Sequence, residues 1–236
     1  MSVSTDSVTS PSSKTITLLD GGGSVELLGT FGDDLTVVNA ARVSFAKESN
    51  SLTEGDKKLI KYLAKHNHIT PFFHPQARLR LKMPIYVARE WFRHTVGFAR
   101  NEVSRRYVDS QPECYIPAPE QVRERDSNKK QGSKTTPVAD AYDIAAKVRD
   151  TQQGAIAVYN ELLAKGVAPE VARGVLPQSM YTEFIETGSL SAYARLCRLR
   201  CDPQAQAEIR QYAEAVSQLL EPCFPVSWEA LKSDWT

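Results

Sequence analysis

Gln76-Ala77-Arg78-Leu79-Arg80-Leu81-Lys82 decides the reading of the fold. Ala77, Leu79 and Leu81 alternate with Arg78, Arg80 and Lys82. That period of two sends one row of side chains to a buried face and the cations to the other, so the spacing predicts a half-buried strand with a basic outer side. Directly after it, Pro84 suits a first helical position, and Ile85, Ala88, Trp91 and Phe92 make an apolar stripe at helical spacing. A strand running into a helix is therefore expected here, with Arg93 at the helix end.

Upstream, Lys14 to Leu19 and Ser24 to Thr30 read as short strands around Gly21-Gly22-Gly23, the start of a hairpin. Asp33 or Asp34 caps a helix through Ala40, Ala41 and Val43. Glu54 to His66 carries Leu59, Ile60 and Leu63 on one helical face, and Pro71 forces an extended approach that leaves His68 and Thr70 on a loop. Downstream, a polar run from Glu120 to Thr136 lacks core-forming residues and reads as a mobile surface insertion near 120–137. A long helix from about Ala139 stops at Gly166, a short one at Pro169 carries Arg173, and Met180 to Thr187 mixes aromatic and β-branched residues as a strand. Ser189 or Ser191 caps a helix through Leu199, and Asp202-Pro203 opens another through Ile209, Tyr212, Val216 and Leu220. The sum is an α/β protein of the α+β type, with a mostly antiparallel sheet packed with helices. The expected organisation is a disordered arm over residues 1–13 and a single domain over residues 14–236.

The chain has 236 residues, and 29 basic against 28 acidic side chains leave a formal charge of +1, so no global field draws it to nucleic acid or membranes. Its apolar runs are too short to cross a bilayer, and Met1 to Ser13 has neither the basic start nor the apolar segment of a secretory signal. Four cysteines, Cys114, Cys197, Cys201 and Cys223, are too sparse for a disulfide-stapled scaffold, which points to a reducing, cytoplasmic setting. Cys197 and Cys201 share a helical face, and packing side by side outweighs a metal or redox role. No glycine-rich phosphate loop and no GxGxxG motif occurs, so a Rossmann-type crevice is not expected.

Chemistry concentrates in Arg93-His94-Thr95-Val96-Gly97-Phe98-Ala99-Arg100-Asn101-Glu102-Val103-Ser104-Arg105-Arg106-Tyr107, expected as a loop beyond the helix. The guanidinium forks and the Ser104 hydroxyl suit a phosphate, while Asn101 and Glu102 can hydrogen-bond a heterocycle or a ribose. An arginine cluster is more often a solvated face, so residue types alone leave the ligand open. His66, His68, His74 and His94 fall close together, but without a helical His-Glu-x-x-His or paired cysteines at finger spacing, and no metal site is expected.

This segment resembles the flavin-dependent thymidylate synthases, which carry Arg-His-Arg followed at short range by Asn-Glu-x-Ser-x-Arg-Tyr. The likeness extends upstream through Lys65-His66-Asn67-His68-Ile69-Thr70-Pro71-Phe72 and downstream through Val171-Ala172-Arg173 to Leu199-Arg200, covering roughly residues 15 to 230. Thr95 stands where that family usually has arginine, the stretch before Asn101 is one residue longer, and Glu90 replaces a usual glutamine. Ser189, Ser191, Arg195 and Gln204 occupy places where the family puts other polar contacts to flavin.

The resemblance implies reductive methylation of dUMP to dTMP, with FAD as cofactor, NADPH as reductant and 5,10-methylenetetrahydrofolate as carbon donor, in a homotetramer whose sites combine several chains. It makes Ser44, His68, Thr70, Arg93, His94, Thr95, Asn101, Glu102 and Arg195 cofactor-side residues. Glu90, Glu102, Val103, Ser104, Arg105, Arg106, Arg173 and Arg200 become substrate-side residues, with Arg200 and His68 the catalytic candidates. Two rival classes are an RNA-binding protein stacking bases on Trp91, Phe98 and Tyr107, and a zinc hydrolase built on the histidines. Neither accounts for the likeness beyond residue 171.

Overall fold

The structure is a computed structural model that describes residues 14–108, 110–127 and 132–233, so the arm expected over 1–13 lies outside the described residues. The opening hairpin pairs β1 (Lys14–Leu18) with β2 (Gly23–Phe31). Its turn is held by Asp20, whose Oδ1 accepts the Gly22 N–H at 3.0 Å and the Tyr181 hydroxyl at 2.5 Å. Two helices follow, each started by a reciprocal capping box: Asp33 with Thr36 for α1 (Asp34–Arg42), and Thr53 with Asp56 for α2 (Glu54–Lys65). Short 3-10 turns occupy Val43–Phe45 and Thr70–Phe73. Thr70 thus opens a helical turn rather than lying in an extended loop, because Pro71 sits in the first turn, where a missing N–H costs no bond.

The alternating stretch is β3 (Gln76–Pro84), with Ala77, Leu79, Leu81 and Met83 buried and Arg78 and Arg80 exposed. Pro84 ends this strand in extended conformation, φ −59° and ψ 143°, and the following helix, α3 (Ile85–Trp91), begins one residue later than the sequence suggests. Next comes β4 (Phe98–Glu102), so the motif is not a continuous loop. A strand forms there because Gly188 leaves room for Phe98: a Cβ on Gly188 would lie 2.5 Å from the Phe98 ring, which packs edge-on against Tyr193 at 5.0 Å. The polar insertion also holds local structure in its described part, a small antiparallel pair of β5 (Arg123–Arg125) and β6 (Ser133–Pro137).

The second half runs through α4 (Ala141–Ala164), α5 (Pro169–Ala172), β7 (Tyr181–Ser189), α6 (Leu190–Arg200), α7 (Ala207–Leu220) and α8 (Pro225–Lys232). Ser189, not Ser191, caps α6, accepting the Ala192 N–H at 3.2 Å. Asp202-Pro203 does not start α7. The Asp202 carboxylate takes the Gln204 N–H at 2.7 Å and its carbonyl takes the Ala205 N–H at 2.8 Å, a local turn that delays the helix to Ala207.

The main sheet has the order β1-β2-β3-β7-β4, antiparallel throughout. Its covered face packs on helices through Trp91, Phe184, Tyr193, Tyr212, Phe224 and Trp228. Burying each such side chain contributes about 1.5–3 kcal/mol or more, so this core dominates the stability, and Leu81→Ala would cost about 2–5 kcal/mol. β4 is left as an edge strand, with its start beside the end of β7 and the start of α6, and its end toward the start of β7.

Candidate active site

Arg93 to Gly97 form the turn between α3 and β4. Its backbone is held by His94 N–H to the Trp91 carbonyl at 3.1 Å, Phe98 N–H to the Thr95 carbonyl at 3.2 Å, and Ser189 N–H to the Gly97 carbonyl at 3.0 Å. Gly97 has φ +82°, and a Cβ there would meet the Ser189 hydroxyl at 2.9 Å, so both conformation and space require glycine. Arg195 reaches over from α6 to donate to the Val96 carbonyl at 2.6 Å while its guanidinium lies 5.9 Å from the Phe73 ring. The turn, the start of α6 and the Thr70–Phe73 segment are thereby locked side by side.

From the end of α6, Arg200 ties three groups together beside that turn. Its Nη1 donates to Glu90 Oε2 at 3.1 Å, its Nη2 to the Glu90 carbonyl at 3.3 Å, and its Nε to His94 Nε2 at 3.1 Å. A guanidinium only donates, so His94 Nε2 must accept, which places the imidazole proton on Nδ1. Burial, then Arg200 and the further cations Arg100, Arg195 and Arg93, push His94 down to about 4, and the ring is neutral at physiological pH. Glu90, Arg93 and Arg200 line a cleft of about 710 Å³ together with Arg123, Lys134 and Arg210. The chemistry on offer is fixed donors, a neutral imidazole and a partly compensated cation.

The other end of β4 is different in kind. Val103 N–H still bonds the Glu183 carbonyl at 2.9 Å, and Glu102 accepts the Thr182 hydroxyl at 2.6 Å. Past them the chain turns outward. Among the described residues, Arg106 contacts Ser104, at 3.4 Å through its N–H and 3.5 Å through Nε, and its own neighbour Tyr107, whose ring lies 5.0 Å from the guanidinium. Arg105 bends back to the Ser110 carbonyl. Arg173 lies exposed in the turn after α5.

Of the residues the sequence singles out, Glu90, Arg93, His94, Thr95, Arg195 and Arg200 are therefore clustered at the start of β4, whereas Glu102, Val103, Ser104, Arg105 and Arg106 sit at its end. Five residues of strand separate the two groups by about 13 Å. Asn101 points to the face of the sheet opposite Arg100, and is exposed. His68 and Thr70 are exposed on the Thr70–Phe73 side, His68 within 6.0 Å of the Tyr62 ring, and Ser44 is exposed in the turn after α1, the helix that packs on that same segment. Among the described residues, no three His, Cys, Asp or Glu side chains are grouped so as to hold a metal ion.

A family profile described as "Thymidylate synthase complementing protein" matches residues 26–226. The flavin-dependent thymidylate synthase of Thermus thermophilus is 40% identical over 218 residues, 92% of this chain and 78% of the relative. That of Thermosipho africanus is 41% identical over 212 residues, covering 88% of this chain and 90% of the relative. The chain belongs to the flavin-dependent thymidylate synthase family. Among solved structures, a UMP/dUMP methylase, PolB from Streptomyces cacaoi bound with 5-Br dUMP, superposes with a TM-score of 0.80 at 29% identity, over 89% of this chain and 95% of that one. The family match spans both ends of β4 and runs on through Arg173 and Arg200, and it leaves the RNA-binding and zinc-hydrolase readings without support.

The sequence reading missed a cluster behind the turn. Glu186 on β7, with 0% of its surface exposed, accepts the Trp91 indole N–H at 3.2 Å and pairs with Arg100 on β4. A signal existed in the pattern, since Glu186 sits in the inward series Thr182, Phe184, Glu186, Gly188 of its strand.

Proposed function

We propose that this protein makes dTMP from dUMP by reductive methylation, with the one-carbon unit from 5,10-methylenetetrahydrofolate and with FAD reduced by NADPH. Family membership over residues 26–226, including the Arg93–His94 and Asn101–Tyr107 segments, is the observation that carries the reading. The donor set suits a flavin. Arg93, Thr95 and Asn101 are exposed around one edge of the sheet, and Ser44, His68 and Thr70 present further polar side chains from the neighbouring turns. Bound FAD, once reduced by NADPH, would supply the hydride, and the protein would supply binding, orientation and exclusion of water.

On that reading the roles divide by location. Arg200 is held in place by Glu90 and His94, so its charge is pre-aimed rather than free to swing, which lowers the entropy lost when a uracil is oriented. His94 remains neutral and offers its Nδ1–H as a donor on the cofactor side. Ser104 and Arg106, with Arg173, take the nucleotide phosphate through charge-assisted hydrogen bonds. Glu102 joins the two sides from the end of the strand.

The separation of these groups within one chain supports a site completed by neighbouring chains, and we assign the working enzyme as a homotetramer. Among the described residues no helix is long and apolar enough to cross a membrane. The decisive experiment is a spectrum of the purified protein with and without FAD, followed by turnover. A flavin absorbance bleached by NADPH without oxygen, and dTMP made only when methylenetetrahydrofolate is present, are expected. Absence of FAD binding at saturation would end this reading.

A further inference from the structure

Arg100 and Glu186 carry charge into the core at the place where it is least expected. Glu186 lies opposite Leu79 on β3 and opposite Arg100 on β4, on the covered side of the sheet. Burial pushes its carboxyl up, while the Arg100 guanidinium and the Trp91 indole pull it back toward the ionised form. Arg100 is stacked between two rings, 5.4 Å from Phe92 and 4.7 Å from Phe98, and its Nη2 is buried without a hydrogen-bond partner. A well-packed apolar pair of similar size is often as stable as a buried ion pair or more so. Stability alone is thus a poor reason for the charges.

Position gives a better one. Trp91 and Phe92 are the last residues before Arg93, and Phe98 and Arg100 are the first inward residues after Gly97. Both ends of the Arg93–Gly97 turn therefore grip the same two side chains: Trp91 by its indole on Glu186, Phe92 and Phe98 by their rings on Arg100, and Arg100 by its fork on Glu186. Apolar contacts are non-directional, whereas an indole and a guanidinium bonded to one carboxylate fix both distance and angle. We propose that Arg100 and Glu186 are a positioning pair that sets the Arg93–Gly97 turn, and with it the cofactor side of the site, against the sheet. Both act through Trp91, Phe92 and Phe98. The ligand side of the proposal rests on Arg93 and His94 facing the flavin, whereas the effect on the turn does not.

The test uses the full chain with Glu186→Gln, Arg100→Met, and the double variant Arg100→Met with Glu186→Leu. Three readouts are needed: urea unfolding, amide hydrogen exchange over residues 93–97 without ligand, and affinity for FAD and, at saturating FAD, for dUMP. Each single variant should raise exchange in the turn tenfold or more and weaken FAD by a similar factor, while dUMP affinity changes much less. The double variant should regain wild-type stability yet keep the fast exchange and weak FAD binding. If it restores both to wild-type levels, the pair only fills space and the proposal is overturned, as it also is if folded single variants exchange and bind FAD normally. Should the single variants fail to fold, the double variant decides the matter. A wild-type protein that does not bind FAD would defeat the reading of the site, and the exchange data would still decide the pair.

Discussion

The two ends of β4 are built on opposite plans. At the start, Arg200 is cross-linked to Glu90 and His94, and Arg195 to the Val96 carbonyl, so the donors are already in place. At the end, among the described residues, Ser104 and Arg106 contact one another and Tyr107. A pre-paired cluster loses little entropy on binding but has its charge partly spent, while an open arginine keeps its charge and must be ordered by what it meets. The first plan suits orientation of a reacting ring, and the second suits capture of a phosphate or completion by another chain.

The largest expected effect comes from breaking the cross-linked end. Arg200→Ala removes charge-assisted bonds to Glu90 and His94, each worth on the order of 1.5–3 kcal/mol, and should lower kcat/KM for dUMP by roughly 100-fold or more. It should also change the response to acid. Because His94 is depressed from 6.5 to about 4, the unfolded chain takes up the proton first; stability is full above about pH 6.5 and is lost as pH falls toward 4. Burial is the first cause of the depression and Arg200 the second, so the variant should lose less stability over that window. Urea unfolding between pH 4.5 and 7, with the His94 resonance followed by NMR, checks both points. An unchanged acid slope would mean that Arg200 does not act on His94.

Breaking the open end should cost less and cost something different. Arg106→Ala should weaken dUMP by roughly 10- to 150-fold, the equivalent of one lost hydrogen bond to a charged group. FAD content should survive, since the Arg93–Gly97 turn does not depend on Arg106. Titration of the folded variant with dUMP measures this, and unchanged affinity removes Arg106 from the site.

Both variants together sharpen the comparison. The two ends stand about 13 Å apart in one chain. If each site takes one end from one chain and the other from its neighbour, then dissociating and reassociating a mixture of the Arg200→Ala and Arg106→Ala proteins should create some sites with both arginines intact. Activity should rise above that of either variant alone. A mixture no more active than its components, under conditions where mass spectrometry shows mixed assemblies, would place each site within a single chain.

What was legible in the sequence follows the same divide. The alternation of β3 and the helix cap offered at Asp33 or Asp34 are local signals, and the structure bears them out, with Asp33 as the cap. β4 was illegible because its reasons are remote: Phe98 needs Gly188, and Arg100 needs Glu186, 86 residues away. For the site, the Arg93-His94 and Asn101-to-Tyr107 signatures lie toward the two ends of β4. Their spacing in the chain said nothing about a strand holding them apart, nor that Glu90 would be bound to Arg200.

The smallest effect expected concerns a thiol beside the cross-linked end. Cys201 directly follows Arg200 at the end of α6, and the hydrogen bond from Cys197, its strongest influence, holds its thiol below the usual range; burial pushes Cys114, Cys197 and Cys223 up. If a thiolate added to the uracil during methylation, Cys201 would be the residue placed and poised to do it. The cross-linked plan argues against that. Arg200 is already turned toward Glu90 and His94, on the cleft side, whereas the Cys201 thiol is turned to Cys197, whose own Sγ lies 3.4 Å from the Ala213 carbonyl on α7. The thiol faces the helix packing and the guanidinium faces the cleft. Cys201→Ser should therefore leave dTMP formation within roughly threefold of wild type, far short of the loss expected when a covalent nucleophile is removed. Single-turnover assays on the variant loaded with FAD and dUMP measure it. A variant that binds both ligands yet makes no dTMP would show that the cross-linked end supplies a nucleophile and not only an orientation.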